Sequence, residues 1–284
     1  MRIGISGTKR WGEAYYSKVK SFGFDYFDYD MANTNAAPYI YDEKGFYDYL
    51  SNEKRLADAA GVNIWQVHGP WRFPPVDGTK EGRAERLEKM QRSIRGAAIL
   101  GAKYWVVHPI MPYGIEDIKL NKTAETYELN LEFMNKLLPV AKNEGVTICL
   151  ENMPMVDFSI SAPKDIVKFI KDIGDPNFAM CLDTGHTTLR PEWHTPAAAI
   201  RDYAEYIKVL HVHDNDGEYD YHYAPFGGKI DWQDFSSALR ETGFDGVFAL
   251  ECEPSLKLPD DILEDMYSIY ARIAKAVIRL GENK

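Results

Sequence analysis

Residues 146–183 read VTICLENMPMVDFSISAPKDIVKFIKDIGDPNFAMCLD. Apolar, strand-like runs stand at the two ends of this segment, at 146–151 and 178–183. Between them, Pro163 suits the first turn of a helix, and apolar residues follow at helical spacing: Ile166, Val167, Phe169 and Ile170. A strand, a helix and a second strand in this order predict two parallel strands joined by a crossover helix.

The same alternation extends over the whole chain. Strand-like runs are predicted at 2–6, 24–29, 62–68, 103–108, 146–151, 178–183, 207–213 and 246–251, with helix-length segments between most of them. Eight such units are enough to close a barrel, and no change in composition marks a second domain. We therefore predict an α/β fold, a single (β/α)8 TIM barrel over residues 1–284, with its site at the C-terminal face of the strands.

Six of the predicted strands end on a histidine or a carboxylate: His68, His108, Glu151, Asp183, His211 and Glu251. In a barrel of parallel strands these ends meet at one mouth, so residues far apart in sequence converge. Imidazole and carboxylate groups are typical ligands of a divalent metal ion. For any one of these residues a structural role is the alternative, such as Asp183 acting only as a helix N-cap.

Further candidate groups stand in the loops and near the strand ends. His186 follows the sixth strand by three residues, and Asp220 with His222 forms an Asp-x-His pair that could hold another ion or cover the substrate. A solvated loop is the alternative for this pair. His213 shares a strand face with His211 and is a candidate to orient a metal ligand. Three aromatic residues could wall the pocket or only anchor their loops: Trp11, Trp71 and Phe226.

Glu151 and Glu251 end the fifth and eighth strands, which face one another across the mouth of an eight-stranded barrel. Two carboxylates on opposite sides of a substrate suit the removal of a proton from carbon and its return. A metal ion complements them, because it polarises a carbonyl and stabilises an enediolate. These residues predict isomerase or epimerase chemistry on a hydroxy-ketone.

The composition limits the partners. The chain has 284 residues, a net charge of −10 and a pI near 5.3, which argues against broad binding to nucleic acids or anionic membranes. Its three cysteines have no regular spacing and predict free thiols rather than a disulfide framework. Because the sequence shows neither a signal-peptide pattern nor a run of about 18 apolar residues, we expect a cytoplasmic protein.

Five motifs carry a resemblance to a known family: VHGPW around His68, VVHP around His108, CLENMP around Glu151, CLDTGH around Asp183, and LHVHDNDGEYDYHYAPFGGKIDW at 210–232. With these motifs, residues 2 to about 253 resemble the xylose isomerase-like TIM barrel superfamily. It includes sugar phosphate isomerases and epimerases, ketohexose 3-epimerases and endonuclease IV. For the epimerase branch, the resemblance implies one divalent ion held by Glu151, Asp183, His211 and Glu251, with the two glutamates moving the proton and His186 touching substrate.

The endonuclease branch implies a different site. It uses a trinuclear zinc cluster with nine ligands, and this chain carries the required residue type at all nine positions: His68, His108, Glu151, Asp183, His186, His211, Asp220, His222 and Glu251. Gly217 stands near the place where the 3-epimerases carry a substrate-binding arginine, which argues against a free-ketose 3-epimerase. The acidic charge and the loop GPWRFPP after His68 argue against a DNA-binding enzyme.

The leading hypothesis is a divalent-metal-dependent isomerase or epimerase of a small sugar, sugar acid or sugar phosphate. Glu151 and Glu251 are its proposed base and acid, and its metal is manganese, cobalt or zinc, with magnesium also open. Five residues are candidates for further metal or substrate binding: His68, His108, His186, Asp220 and His222. The alternatives are an endonuclease IV-like zinc phosphodiesterase acting on abasic-site DNA and a sugar-binding barrel without catalysis. The expected partner is a small carbohydrate, with no nucleic acid and no membrane, and a homo-oligomer stays open.

Overall fold

A computed structural model of the chain describes residues 1–7, 9–190 and 192–282. Within them, parallel strands form one eight-stranded sheet: β1 (Arg2–Ser6), β2 (Tyr26–Asp30), β3 (Asn63–His68), β4 (Tyr104–Val107), β5 (Thr147–Glu151), β6 (Phe178–Asp183), β7 (Ile207–His211) and β8 (Val247–Leu250). Strands β1 to β7 pair in sequence order, and β8 pairs with β1. A parallel bridge between Val212 and Leu250 joins the two ends of the sheet. The predicted TIM barrel is confirmed.

Helices connect the successive strands. In the described residues they are α1 (Tyr15–Phe22), α2 (Glu43–Ala60), α3 (Lys80–Ile99), α4 (Thr123–Glu144), α5 (Pro163–Ile173), α6 (Thr184–Thr188), α7 (Pro196–Tyr203), α8 (Trp232–Glu241) and α9 (Asp260–Leu280). Helix α2 begins at Glu43 because the Asp42 side chain accepts a hydrogen bond from the Gly45 N–H at 2.7 Å and caps the helix. None of these helices is long and apolar enough to cross a membrane.

Strand alternation stacks two layers of side chains inside the barrel. The lower layer is a separate buried cluster of small apolar side chains: Val106, Cys149, Ala179, Cys181 and Val209. Two residues further along four of these strands lie His108, Glu151, Asp183 and His211, which point to the same side of the sheet. An apolar floor therefore supports a polar layer at the mouth. All three cysteines are buried free thiols, as predicted.

The strand ends lie where the sequence pattern indicates. His68, Glu151, Asp183 and His211 are the last residues of their strands. His108 and Glu251 come one residue after β4 and β8. All six side chains therefore belong to the C-terminal face of the barrel.

Candidate metal centre

Four of the predicted ligands form a compact set, which we name the inner group: Glu151, Asp183, His211 and Glu251. Each offers one ligand atom, and these atoms lie within 4.8 Å of one another. His211 Nδ1 is 3.2 Å from both Glu151 Oε2 and Glu251 Oε2. Among the described residues, none of these three buried atoms has a hydrogen-bond partner. Because buried polar atoms are normally paired, this set of carboxylates and imidazole fits a divalent ion.

Asp28 and Gln66 lie behind His211 on its far side. The Asp28 Oδ2 atom is 3.1 Å from His211 Nε2, and Gln66 Nε2 donates a hydrogen bond to the same oxygen at 2.8 Å. All three side chains are buried. A carboxylate in this position favours a proton on Nε2 and directs the lone pair of Nδ1 towards the inner group.

A second set, which we name the outer group, consists of His186, His213, Asp220 and His222, and its ligand atoms also lie within 4.8 Å of one another. Asp220 Oδ2 is 3.1 Å from His186 Nε2 and 3.3 Å from His222 Nε2. The rings of His213 and His222 stack with centroids 3.8 Å apart. His213 Nε2 lies 2.9 Å from Asp183 Oδ2, so His213 connects the outer group to the inner one.

Backbone carbonyls fix the orientation of three imidazoles at the mouth. The Nδ1 contacts are His68 to Gly69 O at 2.8 Å, His186 to Asn152 O at 2.7 Å, and His222 to Glu251 O at 2.7 Å. Because a carbonyl can only accept a hydrogen bond, each Nδ1 carries a proton and donates it. The Nε2 atom of each ring is therefore left to face the other candidate ligands, as metal-binding histidines require.

His68 and His108 extend the inner group towards β3 and β4. His108 Nε2 is 3.2 Å from Glu151 Oε2, and the Nε2 atoms of the two histidines are 3.2 Å apart. Burial lowers the pKa of His108 to about 4, so this ring is neutral at physiological pH. All nine predicted ligand positions thus converge at one mouth.

The two glutamates of the inner group have opposite protonation tendencies. Burial opposes ionisation of Glu151, but the imidazoles of His211 and His108 hold its pKa well below the usual range. Desolvation and the charge of Glu151 raise the pKa of Glu251 well above the usual range. Without a metal the pair therefore shares its charge unequally, as acid and base partners do.

Asp183 caps a helix and also belongs to the candidate ligand set. Its Oδ1 accepts the His186 N–H at 2.7 Å at the start of α6, while Oδ2 faces His213. The Asn152 side chain accepts the Asp183 N–H at 2.8 Å and donates to the Asp183 carbonyl at 3.1 Å, which fixes the backbone. A Cβ at Gly185 would lie 2.0 Å from the His213 ring, so this approach requires glycine.

A cavity of about 540 Å³ opens above these groups. Trp71 lines it, and its ring meets the His108 ring edge-to-face at 4.4 Å. The other two aromatic residues predicted to wall the pocket lie outside this cavity. Trp11 packs against Phe22 and Tyr267, and Phe226 is 55% exposed. Loop side chains have no fixed periodicity, so their direction does not follow from sequence.

Three residues that support the site escaped the sequence analysis: Asp28, Gln66 and Asn152. Asp28 carried a usable signal, because β2 also brings a carboxylate towards the mouth, within the run FDYFDY. Asn152 directly follows a predicted ligand in CLENMP. Gln66 lies inside a strand, and only the packing of β2, β3 and β7 shows what it contacts.

Residues 16–271 match the family described as the xylose isomerase-like TIM barrel. The chain belongs to this family. Among solved structures, this xylose isomerase-like barrel superposes on a D-tagatose 3-epimerase-like protein with a TM-score of 0.77 and 24% identity, covering 99% of this chain and 98% of the other. At that identity the likeness concerns the fold alone.

Curated relatives of this barrel fall into several functional groups. It is 28% identical over 198 residues to the uncharacterized protein MJ1311 of Methanocaldococcus jannaschii, covering 69% of this chain and 66% of that protein, just under two thirds. It is 25% identical to the D-psicose 3-epimerase of Ruminiclostridium cellulolyticum, and the match covers 84% of this chain and 76% of that protein. A probable endonuclease 4 of Metamycoplasma arthritidis is 26% identical, covering 61% of each chain.

Proposed function

We propose that this protein is a divalent-metal-dependent isomerase or epimerase of a small sugar or sugar derivative. The observation that carries the proposal is the inner group, where four ligand atoms lie within 4.8 Å of one another at the base of an open cavity. The relatedness to a D-psicose 3-epimerase over 84% of the chain supports the same chemistry.

The residues of the inner group have complementary roles in this proposal. Glu151, Asp183, His211 and Glu251 would hold the ion, which is manganese, cobalt or zinc. When bound, the ion supplies the positive charge that polarises a substrate carbonyl. Glu151 removes a proton from the adjacent carbon, and Glu251 returns one from the other side. Asp28 orients His211, and Trp71 with the mouth loops limits access of water.

Solvent deuterium tests the proton-transfer step. The manganese- or cobalt-loaded protein is incubated in D2O with D-psicose, D-fructose, D-tagatose or L-ribulose, and the recovered sugars are analysed by mass spectrometry. We expect deuterium at the carbon next to the carbonyl, and Glu251→Gln to slow this exchange by about 100-fold or more. Glu132→Gln, a surface glutamate paired with Lys136, is the charge control. Exchange at near full rate in Glu251→Gln would rule out the two-glutamate scheme.

A second candidate function is a zinc phosphodiesterase of the endonuclease type. The outer group favours it, because it offers ligands for ions beyond the first. The related endonuclease 4 points the same way. Metal analysis separates the two functions: about three zinc ions per chain with cleavage of abasic-site DNA would support the phosphodiesterase, and about one manganese or cobalt ion would oppose it.

A further inference from the structure

Carboxylates are frequent in the lining of the cavity. Six acidic residues contribute to it: Asp28, Asp30, Glu151, Asp220, Glu251 and Glu253. The lining formed by the described residues contains neither lysine nor arginine. Four histidines also line the cavity, and neighbouring carboxylates raise the pKa of His186 and His222 although burial opposes their protonation. These rings and a divalent ion in the inner group offset negative charge at the base of the cavity. The repulsion of an anion is therefore expected where the substrate passes Asp30 and Glu253.

Cationic residues near the mouth are engaged elsewhere. The loops after β1 and β3 carry Lys9, Arg10 and Arg72, and each is paired with a carboxylate of a helix. The pairs are Lys9 with Glu53 at 2.6 Å, Arg10 with Asp260 at 2.6 Å, and Arg72 with Glu85 at 3.6 Å. Lys9 and Arg10 are held by close carboxylates, Arg72 Nη2 is buried without a hydrogen-bond partner among the described residues, and none of the three lines the cavity.

The corner of the barrel that often binds phosphate is acidic here. In many TIM barrels the loops after the seventh and eighth strands and a short helix N-terminus hold a phosphate group. In this chain the loop after β7 brings Asp220 to the cavity, and the segment after β8 brings Glu253. A phosphate at this corner would meet the carboxylates of Asp220 and Glu253.

One carboxylate of the lining indicates what the cavity accepts. The Asp30 side chain lines the cavity and is exposed, and its Oδ1 accepts a hydrogen bond from the Ala32 N–H at 2.6 Å. An ionised carboxylate oxygen only accepts hydrogen bonds. A sugar hydroxyl can donate to it, whereas an ionised phosphate oxygen cannot.

We propose that this site selects an uncharged polyhydroxy carbonyl compound, and that Asp30 and Glu253 at the outer part of the cavity exclude phosphorylated and carboxylated analogues. The proposal rests on the function proposed above. It narrows the substrate from sugars, sugar acids and sugar phosphates to the uncharged sugars. The carboxylates serve as acceptors for substrate hydroxyls and repel a terminal anion.

The test compares matched pairs of sugars with the metal-loaded protein. D-fructose and D-fructose 6-phosphate, and L-ribulose and L-ribulose 5-phosphate, are measured by saturation-transfer NMR for binding and by deuterium exchange for turnover. We expect each uncharged sugar to exceed its phosphate by at least tenfold in kcat/KM and to bind more tightly. The double variant Asp30→Asn, Glu253→Gln keeps acceptor oxygens for the Ala32 N–H and the Tyr267 hydroxyl. This double variant should lower the ratio of kcat/KM for the uncharged sugar to kcat/KM for its phosphate by threefold or more.

Asp48→Asn, which removes a surface carboxylate paired with Lys44, is the control and should leave the ratio unchanged. A phosphate that binds or reacts as well as its uncharged partner would overturn the charge selection and leave the isomerase proposal standing. Preferential binding of uncharged sugars without deuterium exchange in any of them would overturn the isomerase proposal and leave the charge selection standing. Absence of binding by both sets would overturn the assignment of the cavity to sugars.

Discussion

The inner and outer groups offer similar ligands but rest on different supports. The inner group stands at the ends of strands whose neighbours hold them by parallel pairing, and Asp183 and His211 are fully buried. The outer group depends on loop residues, since Asp220 and His222 follow β7 in a long loop and His222 is 38% exposed in its side chain. A rigid scaffold therefore fixes the inner group, whereas two of the four residues of the outer group, Asp220 and His222, depend on loop contacts. Binding at the inner group should tolerate changes in the outer group far better than the reverse.

The largest effect is expected for Glu151→Ala. Glu151 contacts both His108 and His211, so its removal leaves two buried imidazoles without their carboxylate. Loss of a group that orients a ligand already costs about 10- to 100-fold in metal affinity, so loss of this ligand should cost more than about 100-fold. Competition with a fluorescent chelator measures the affinity for manganese. An affinity close to that of the parent protein would remove Glu151 from the metal site.

An intermediate effect is expected for Asp28→Asn. The amide keeps the size of the side chain but loses the charge that holds the His211 ring, so metal affinity should fall by about 10- to 100-fold. The ¹⁵N shifts of His211 should also show a change in which nitrogen carries the proton. Asp25→Asn, an exposed change at a residue paired with Lys20, is the control. Unchanged affinity and unchanged ¹⁵N shifts would show that Asp28 fills space beside His211 and does not set which nitrogen of the ring carries the proton.

The smallest effect on the inner group is expected for His222→Ala. The variant loses the hydrogen bond to the Glu251 carbonyl and the stack on His213, but no inner ligand. Affinity for the first manganese ion should stay within about threefold, because contacts at exposed sites contribute little. Any second ion should be lost, as equilibrium dialysis can measure. A loss of the first ion as large as in Glu151→Ala would contradict the separation of the two groups.

The inner group could be predicted because it follows from periodicity. Parallel strands bring their C-terminal ends together, so the residues at those ends, such as Glu151 and Asp183, were readable from the sequence. For the outer group, the sequence indicated which residues could bind a metal ion but not how they are arranged. Its geometry depends on the positive φ of His222 and on the space at Gly185, which no sequence pattern encodes. The directions of Trp11 and Phe226 depend on loop packing in the same way, and neither residue lines this cavity.

The seam between β7 and β8 connects the inner group to the stability of the barrel. In the described residues one bridge joins these strands, with hydrogen bonds from Val212 N–H to Ala249 and from Glu251 N–H to Val212. His211 and Glu251 stand on the two sides of this seam, so an ion that both bind would link its two edges directly. Ligands that bind only the folded state stabilise it. An ion bound in this way would therefore also stabilise the junction between β7 and β8, which in the described residues has fewer paired residues than any other junction of the barrel.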